Sequence, residues 1–448
     1  MRIAYIASGA AGMYCGSCLH DNTLGGALSR LGHEVALLPT YTPIRTDEEA
    51  VAQPRIFYGA VNVYLQQVAP WFRSAPGWLH RLLDRPSLLS WVGRFAGSTD
   101  AHQLGALTES VLAGEHGHQA HELELLVAWL KEEFRPEVVH LTNSLFLGMA
   151  RRLREELGVP VVVGLAGEDL FLDGLIEPYQ SRVRELLRER AKDADAFLAP
   201  SRYYAGTMSE LLAVPAEKIA VVPLGLSLTP HLATEPAGPP KDGRTLGFFA
   251  RLCPEKGLHL LVDAFRQLAR EPGREDLRLC LAGYLGPRDR AYVDRLLAGL
   301  AQDGLSHRCE LVGEVDLGGK IRFLRSLDVM ALPTVYQESK GLSALEAMAN
   351  GVPVVLPRHG SFPEMMAATD GGLLVDPHSV ESLARGIATL LDDAELARRL
   401  GEQGREAVAA RFGDREMALA TAAVYRRLTG RGETTVERSP SSLDPGAS

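Results

Sequence analysis

Tyr336-Gln337-Glu338-Ser339-Lys340-Gly341-Leu342-Ser343-Ala344-Leu345-Glu346-Ala347-Met348-Ala349-Asn350-Gly351-Val352-Pro353-Val354-Val355 is the stretch whose reading decides the fold. Leu342, Leu345, Met348 and Ala349 recur at helical spacing, which predicts a short amphipathic helix. Asn350-Gly351 supplies a left-handed stop, and Val352 to Leu356 then reads as a buried parallel strand. The loop before the helix presents free backbone N–H groups and the positive end of the helix dipole, so it forms an anion site at Gly341, Leu342 and Ser343. Glu338 stands in that loop, and Glu346 lies roughly 7 Å further along the axis. Such a pair of acids suits a bound nucleotide sugar, its phosphates on the helix mouth and its ribose hydroxyls at Glu346. Ser343-Ala344-Leu345-Glu346 equally fits a capping box, in which Glu346 would only bond backbone N–H groups. Spacing alone leaves both open.

Outward from this stretch, strands are expected near Thr245–Phe249, Leu277–Ala282, Cys309–Val312 and Val329–Leu332. An earlier series reads at residues 2–7, Glu34–Leu38, Glu137–Leu141, Pro160–Gly164, Ala196–Ala199 and Ile219–Val222. The β-loop-α-β order of residues 2–38 opens a doubly wound sheet. Proline and glycine between Leu228 and Arg244 mark a linker. The expected division is therefore a first half over 1–228, a linker over 229–243 and a second half over 244–411. A last helix at about 412–429, with its pattern clearest from Arg415 to Leu428, would follow. The Ser-, Pro- and charge-rich residues 430–448 read as a disordered tail.

The chain has 448 residues, more than one core usually covers, so two domains are expected. A formal net charge of −9 argues against a general nucleic-acid partner, which needs a basic face. Five cysteines suit a reducing compartment better than a disulfide scaffold. Neither a secretory leader nor a long apolar run is visible, and the expected location is cytoplasmic.

The second half opens with Leu246-Gly247-Phe248-Phe249-Ala250-Arg251-Leu252-Cys253-Pro254-Glu255-Lys256-Gly257. Here a strand and a turn lead into a helix over Leu258–Leu268, with Arg251 able to fork onto phosphate oxygens and Lys256 adding a point charge. With Glu338 and Glu346, this pattern resembles the E-x7-E signature of the family 4 retaining glycosyltransferases. The resemblance implies a GT-B architecture, two Rossmann-like α/β domains facing a cleft, with the last helix crossing back onto the first half. It implies that Glu346 binds the donor ribose, that Glu338 is the catalytic acid beside the donor sugar, and that Arg251 and Lys256 grip the diphosphate. The implied reaction moves a sugar from a nucleoside diphosphate to an acceptor hydroxyl with retention. No metal or other cofactor is expected, and the acceptor would be a glycan, a lipid-linked or a small molecule in polysaccharide or glycoconjugate biosynthesis. Counting back from Gly32-His33, the family's Gly-Gly pair falls on Cys15-Gly16 and its histidine on His20. Gly16 thus matches the backbone approach to the donor phosphate.

Two departures stand out. Ala166 occupies the place of a family histidine that touches the donor sugar, with Glu168 and Asp169 as the candidates to compensate. Lys340 occupies a usually aromatic or small position, where its ammonium would meet an acidic donor or acceptor, or solvent. His20, Asp21, Glu168, Asp169 and Lys340 are accordingly the candidates for the acceptor or sugar side. Ala166 also motivates a second reading, a nucleotide-sugar-binding protein without transfer activity.

Three further motifs point elsewhere. Cys15-Gly16-Ser17-Cys18 has the form of a thiol oxidoreductase pair at a helix start. Asp193-Ala194-Asp195 has the form of a metal motif, although acids at strand starts are common. The aromatic, mildly basic run Trp71–Phe95 reads as a helical insertion over the first domain, or as an interfacial helix touching the inner face of a membrane through 71–95.

Overall fold

Runs of Val, Ile, Leu and Ala, buried on both faces, build two all-parallel sheets. The protein is seen in a computed structural model that describes residues 1–9, 16–41, 44, 46, 48, 51–52, 101–233 and 243–431, without the side chains of 101–103. Cys15, the Trp71–Phe95 segment, most of the linker and nearly all of the 430–448 tail lie outside the described residues.

The first sheet holds β1 (Arg2–Ala7), β2 (Glu34–Pro39), β3 (Val138–Leu141), β4 (Val161–Gly164), β5 (Ala196–Ala199) and β6 (Ile219–Val221). Their order is β2-β1-β3-β4-β5-β6. The second holds β7 (Thr245–Phe249), β8 (Arg278–Ala282), β9 (Cys309–Gly313), β10 (Val329–Ala331), β11 (Val354–Pro357) and β12 (Gly372–Val375). Here the order is β12-β11-β10-β7-β8-β9. Only β12 was not expected from the sequence. It is a four-residue edge strand whose first three positions are half-buried, so it lacks a continuous apolar run.

Both orders reverse direction once. In the first sheet the chain turns back between β1 and β3, and in the second between β7 and β10. A reversal splays the loops at the carboxyl ends of the two strands apart and leaves a crevice for ligand.

Five helices bear on these crevices: α1 (Gly16–Arg30), α2 (Leu258–Leu268), α3 (Leu317–Arg325), α4 (Leu342–Ala349) and α5 (Asp414–Leu428). The second half has one core around Leu246, Phe248, Phe265 and Met348. The first half packs on both faces of its sheet, and α5 supplies Met417, Ala418, Ala422 and Tyr425 to one of them. The return of the chain is anchored by Leu226, which donates its N–H to Phe412 O at 2.8 Å and accepts from Asp414 N at 2.9 Å. The last helix therefore belongs to the first half.

Candidate active site

The crevice of the second sheet is built by the loops after β7 and β10. Gly257 sits at the start of α2 with φ +73°, and a Cβ there would lie 1.8 Å from the carbonyl oxygen of Pro333. Only glycine lets the two loops press together at this point. Val335 N–H donates to Glu255 O at 3.0 Å and locks their register. This contact carries Lys256 to Glu338.

Glu338 is buried, and its Oε2 accepts from Lys256 Nζ and from the Tyr336 hydroxyl, each at 2.6 Å. Its Oε1 accepts from the Lys340 N–H at 3.2 Å. Burial pushes this carboxyl up. The Lys256 charge and the hydrogen bonds from Lys256, Tyr336 and the Lys340 N–H outweigh it and hold the group down at about 2. Tyr336, which also accepts from Lys256 Nζ at 2.5 Å, has its phenol raised by burial and by Glu338. Glu338 is thus an anion fixed on both oxygens. Tyr336, two residues before Glu338, was not assigned a role from the residues alone.

At Gly341 the chain turns with φ +70°, and a Cβ would come within 2.5 Å of Met365 Cε. The α4 axis begins there, so the N–H groups of Leu342 and Ser343 have no carbonyl within the helix to meet. Glu346 does not close a capping box: the N-cap is Gly341, which has no side chain to offer. Instead Glu346 Oε1 accepts from Lys320 Nζ at 2.6 Å, and both side chains are 4% exposed. Lys320 was missed in the sequence, although it lies among Ile321, Phe323 and Leu324 on the buried face of α3. A lysine within such a face is the signal that could have found it.

Lys256, Glu338, Lys320 and Glu346 line one cleft of about 370 Å³ together with Arg251, Lys340, Gly341, Leu342, Ser343 and, from across the cleft, Gly16. Arg251 is exposed and enters no ion pair among the described residues. Phe249, Tyr284 and Val315 form apolar wall, and none of the three was foreseen as a site residue.

Residues 22–225 match the family model described as glycosyl transferase 4-like domain, and residues 233–407 match glycosyl transferases group 1. D-inositol 3-phosphate glycosyltransferase 2 of Catenulispora acidiphila is 30% identical over 351 residues, covering 72% of this chain and 75% of that relative. The chain belongs to the family 4-like glycosyltransferases. The D-inositol 3-phosphate glycosyltransferase of Corynebacterium efficiens is 32% identical over 193 residues, 43% of this chain and 45% of the relative's length. The chain thus spans three quarters of one of these relatives and under half of the other. In shape this glycosyltransferase is similar to Anabaena HepE, solved in complex with UDP, at TM-score 0.65 and 18% identity. That likeness covers 96% of this chain and all of HepE, and it shows the GT-B fold.

On the first half of this glycosyltransferase, Gly16 opens α1, and a Cβ there would lie 3.7 Å from Leu342 of α4. Lys340 Nζ crosses the cleft to donate to Ser17 Oγ at 2.9 Å. His20, one turn into α1, faces a smaller inner cavity beside Lys340 and Ala166. The other three acidic candidates do not line the main cleft. Asp21 accepts from the Tyr5 and Thr142 hydroxyls at 2.7 Å each, which ties α1 to β1 and the end of β3. Glu168 is buried and accepts from Ser144 N, Ala166 N and the Tyr204 hydroxyl, while Asp169 accepts from Tyr204 as well. These bonds engage both carboxylates inside the first half.

Asp193 and Asp195 precede β5, at the sheet edge opposite the cleft, where they pair with Arg151 and Arg154. Among the described residues no three His, Cys, Asp or Glu side chains gather to hold a metal ion. Cys18 is buried in α1, and Cys15 lies outside the described residues. No helix among them is long and apolar enough to cross a membrane.

Proposed function

We propose that this chain transfers a sugar from a nucleoside diphosphate donor to an acceptor hydroxyl with retention of anomeric configuration and without a metal ion. The observation that carries this reading is the convergence, at the β7/β10 crevice, of Arg251, the open end of α4 and the Glu338–Lys256 pair. The diphosphate would take Arg251 and the N–H groups of Leu342 and Ser343, and the base would lie against Phe249 and Tyr284. Cleavage of the bond from the anomeric carbon leaves an oxocarbenium-like sugar and puts negative charge on the departing phosphate. Fixed donors aimed at that charge lower the barrier without reorganising. Glu338, held as an anion, would receive a sugar hydroxyl and steady the developing positive charge. Glu346 and Lys320 together would offer the ribose an acceptor and a donor. The HepE complex, a protein of this fold with UDP bound, supports the choice of nucleotide.

Calorimetric titration with UDP, GDP and ADP in chelator tests the binding half. Incubation with the matching nucleotide sugars, followed by NMR of the product anomer, tests the chemistry. Binding of one nucleotide in chelator, its release on turnover and an unchanged anomer are expected. Binding restored only by magnesium or manganese would defeat the metal-free reading, and an inverted anomer would defeat retention.

A further inference from the structure

The inner cavity at the carboxyl edge of the first sheet measures about 30 Å³. That is room for about two water-sized oxygens. Its walls come from the ends of β3, β4 and β5, from α1 and α5, and from Lys340, so it lies mainly in the first half and beside the β7/β10 crevice. Three buried polar atoms of its lining residues have no hydrogen-bond partner among the described residues: His20 Nδ1, His140 Nε2 and Thr421 Oγ1. Leaving such atoms unmet is costly, and native proteins rarely do so without a purpose.

Each of the three can donate. The Tyr425 hydroxyl lies 2.6 Å from His140 Nδ1, and when it gives its proton there the Nε2 carries the ring hydrogen. Burial lowers both imidazoles to about 3, with the Lys340 charge adding to the effect on His20, so both rings are neutral. A neutral ring still brings one N–H, and Thr421 brings a hydroxyl.

Lys340 stands where this cavity meets the main cleft and lines both. Lys256 and Lys320 in the same cleft are each matched by a glutamate. The Lys340 ammonium, among the described residues, bonds only the uncharged Ser17 hydroxyl, while the backbone N–H of the same residue meets Glu338. A partly buried ammonium facing neutral donors favours an incoming anion.

We infer that the inner cavity receives the carboxylate of an acidic acceptor sugar, its two oxygens between His20, His140 and Thr421 and its charge against Lys340. This rests on the transferase reading above and names the acceptor class that the site would select. The reading of Lys340 as a solvent-facing lysine gives way, since its ammonium is engaged within the cleft.

The test uses the full chain with its histidine rings labelled with nitrogen-15, saturated with the nucleoside diphosphate that binds best. Glucuronate, added in millimolar amounts, should move the His20 and His140 ring resonances and bind at least about tenfold more tightly than glucose. Lys340→Met should abolish the preference. Should that variant fold poorly, Thr421→Val, which keeps the shape and removes one donor, should weaken glucuronate alone. Equal responses to glucuronate and glucose, or none to either, with the nucleotide bound would overturn the inference and leave the transferase reading standing. So would a crystal structure grown in glucuronate with only two waters in the cavity. Failure of every nucleotide to bind would instead overturn the transferase reading and this inference with it.

Discussion

Lys256 and Lys320 do the same work on two glutamates, and the consequences differ with the surroundings. For Glu338 the folded carboxyl sits at about 2, below its ordinary 4.5. Such a group stabilises the fold fully above about 4.5 and loses that contribution as the pH falls through about 2. Lys256→Met removes the charge that offsets burial. The variant should lose roughly 3 kcal/mol at neutral pH, and the deficit should shrink as the pH falls and Glu338 takes up a proton, read by denaturant unfolding followed by circular dichroism at neutral and acid pH. A deficit that is absent, or the same at both pH values, would mean that Glu338 does not depend on Lys256. The Glu346 pair changes the forecast that the sequence alone invites. If Glu346 met only ribose, Glu346→Gln would spare the unliganded protein. Because Lys320 is buried against it, the amide should cost about 1–3 kcal/mol of stability even without nucleotide. Nucleoside diphosphate affinity should fall roughly tenfold to hundredfold as well. Thermal unfolding of the free variant and calorimetry of the complex separate the two effects. Glu338 and Glu346 were legible in the sequence because eight positions and a glycine place them about a helix mouth. Their pairing with lysines was not: Lys256 was read as a diphosphate ligand, and Lys320 was missed. Lys320 and Glu346 are 26 residues apart, and only the docking of α3 on α4 joins them.

At the scale of an element, α4 was readable because its apolar spacing, its glycine start and its Asn350-Gly351 end all agree. Gly351 does adopt φ +77°. What the pattern could not give was the reason for glycine at 341, which is both a backbone turn and the nearness of Met365 and Phe362. Gly341→Ala should therefore strain the turn and push α4 away from those side chains. A loss of about 1–3 kcal/mol and a weaker diphosphate complex are expected, read by thermal shift with and without nucleotide. Retention of both would mean that the helix start tolerates a Cβ. The strand β12 escaped notice for the opposite reason, since half-buried edge positions carry little periodic signal. Asp21 and Glu168 show a further limit. An acid near the carboxyl edge of a sheet looks the same in sequence whether it faces a ligand or accepts from groups of its own half, and here both accept from their own half.

At the scale of the molecule, two parallel sheets with one reversal each explain why the candidate groups sit at strand ends rather than on helix faces. The order of α and β elements was enough to expect that. The contacts between the halves were not readable, because they join residues far apart in the chain. Lys340 reaches Ser17, the Ser201 hydroxyl donates to Ser339 O at 3.2 Å, and Glu364 accepts from Arg202 N at 2.8 Å. All three bind the loop and helix after β10, or the turn into the next helix, to the carboxyl edge of the first sheet.

The seating of α5 on the first sheet has a consequence for how the protein is made. Tyr425, fully buried, bonds His140, and its helix covers the face formed by Ile3, Tyr5, Leu24 and Leu28. Those residues leave the ribosome early, whereas their cover is among the last parts of the described chain to be translated. The first half must wait, with that face unsealed, through the synthesis of the entire second half. A nascent chain stalled anywhere before residue 414 would expose this apolar strip to chaperones and proteases, so translation itself is the clock that completes the fold.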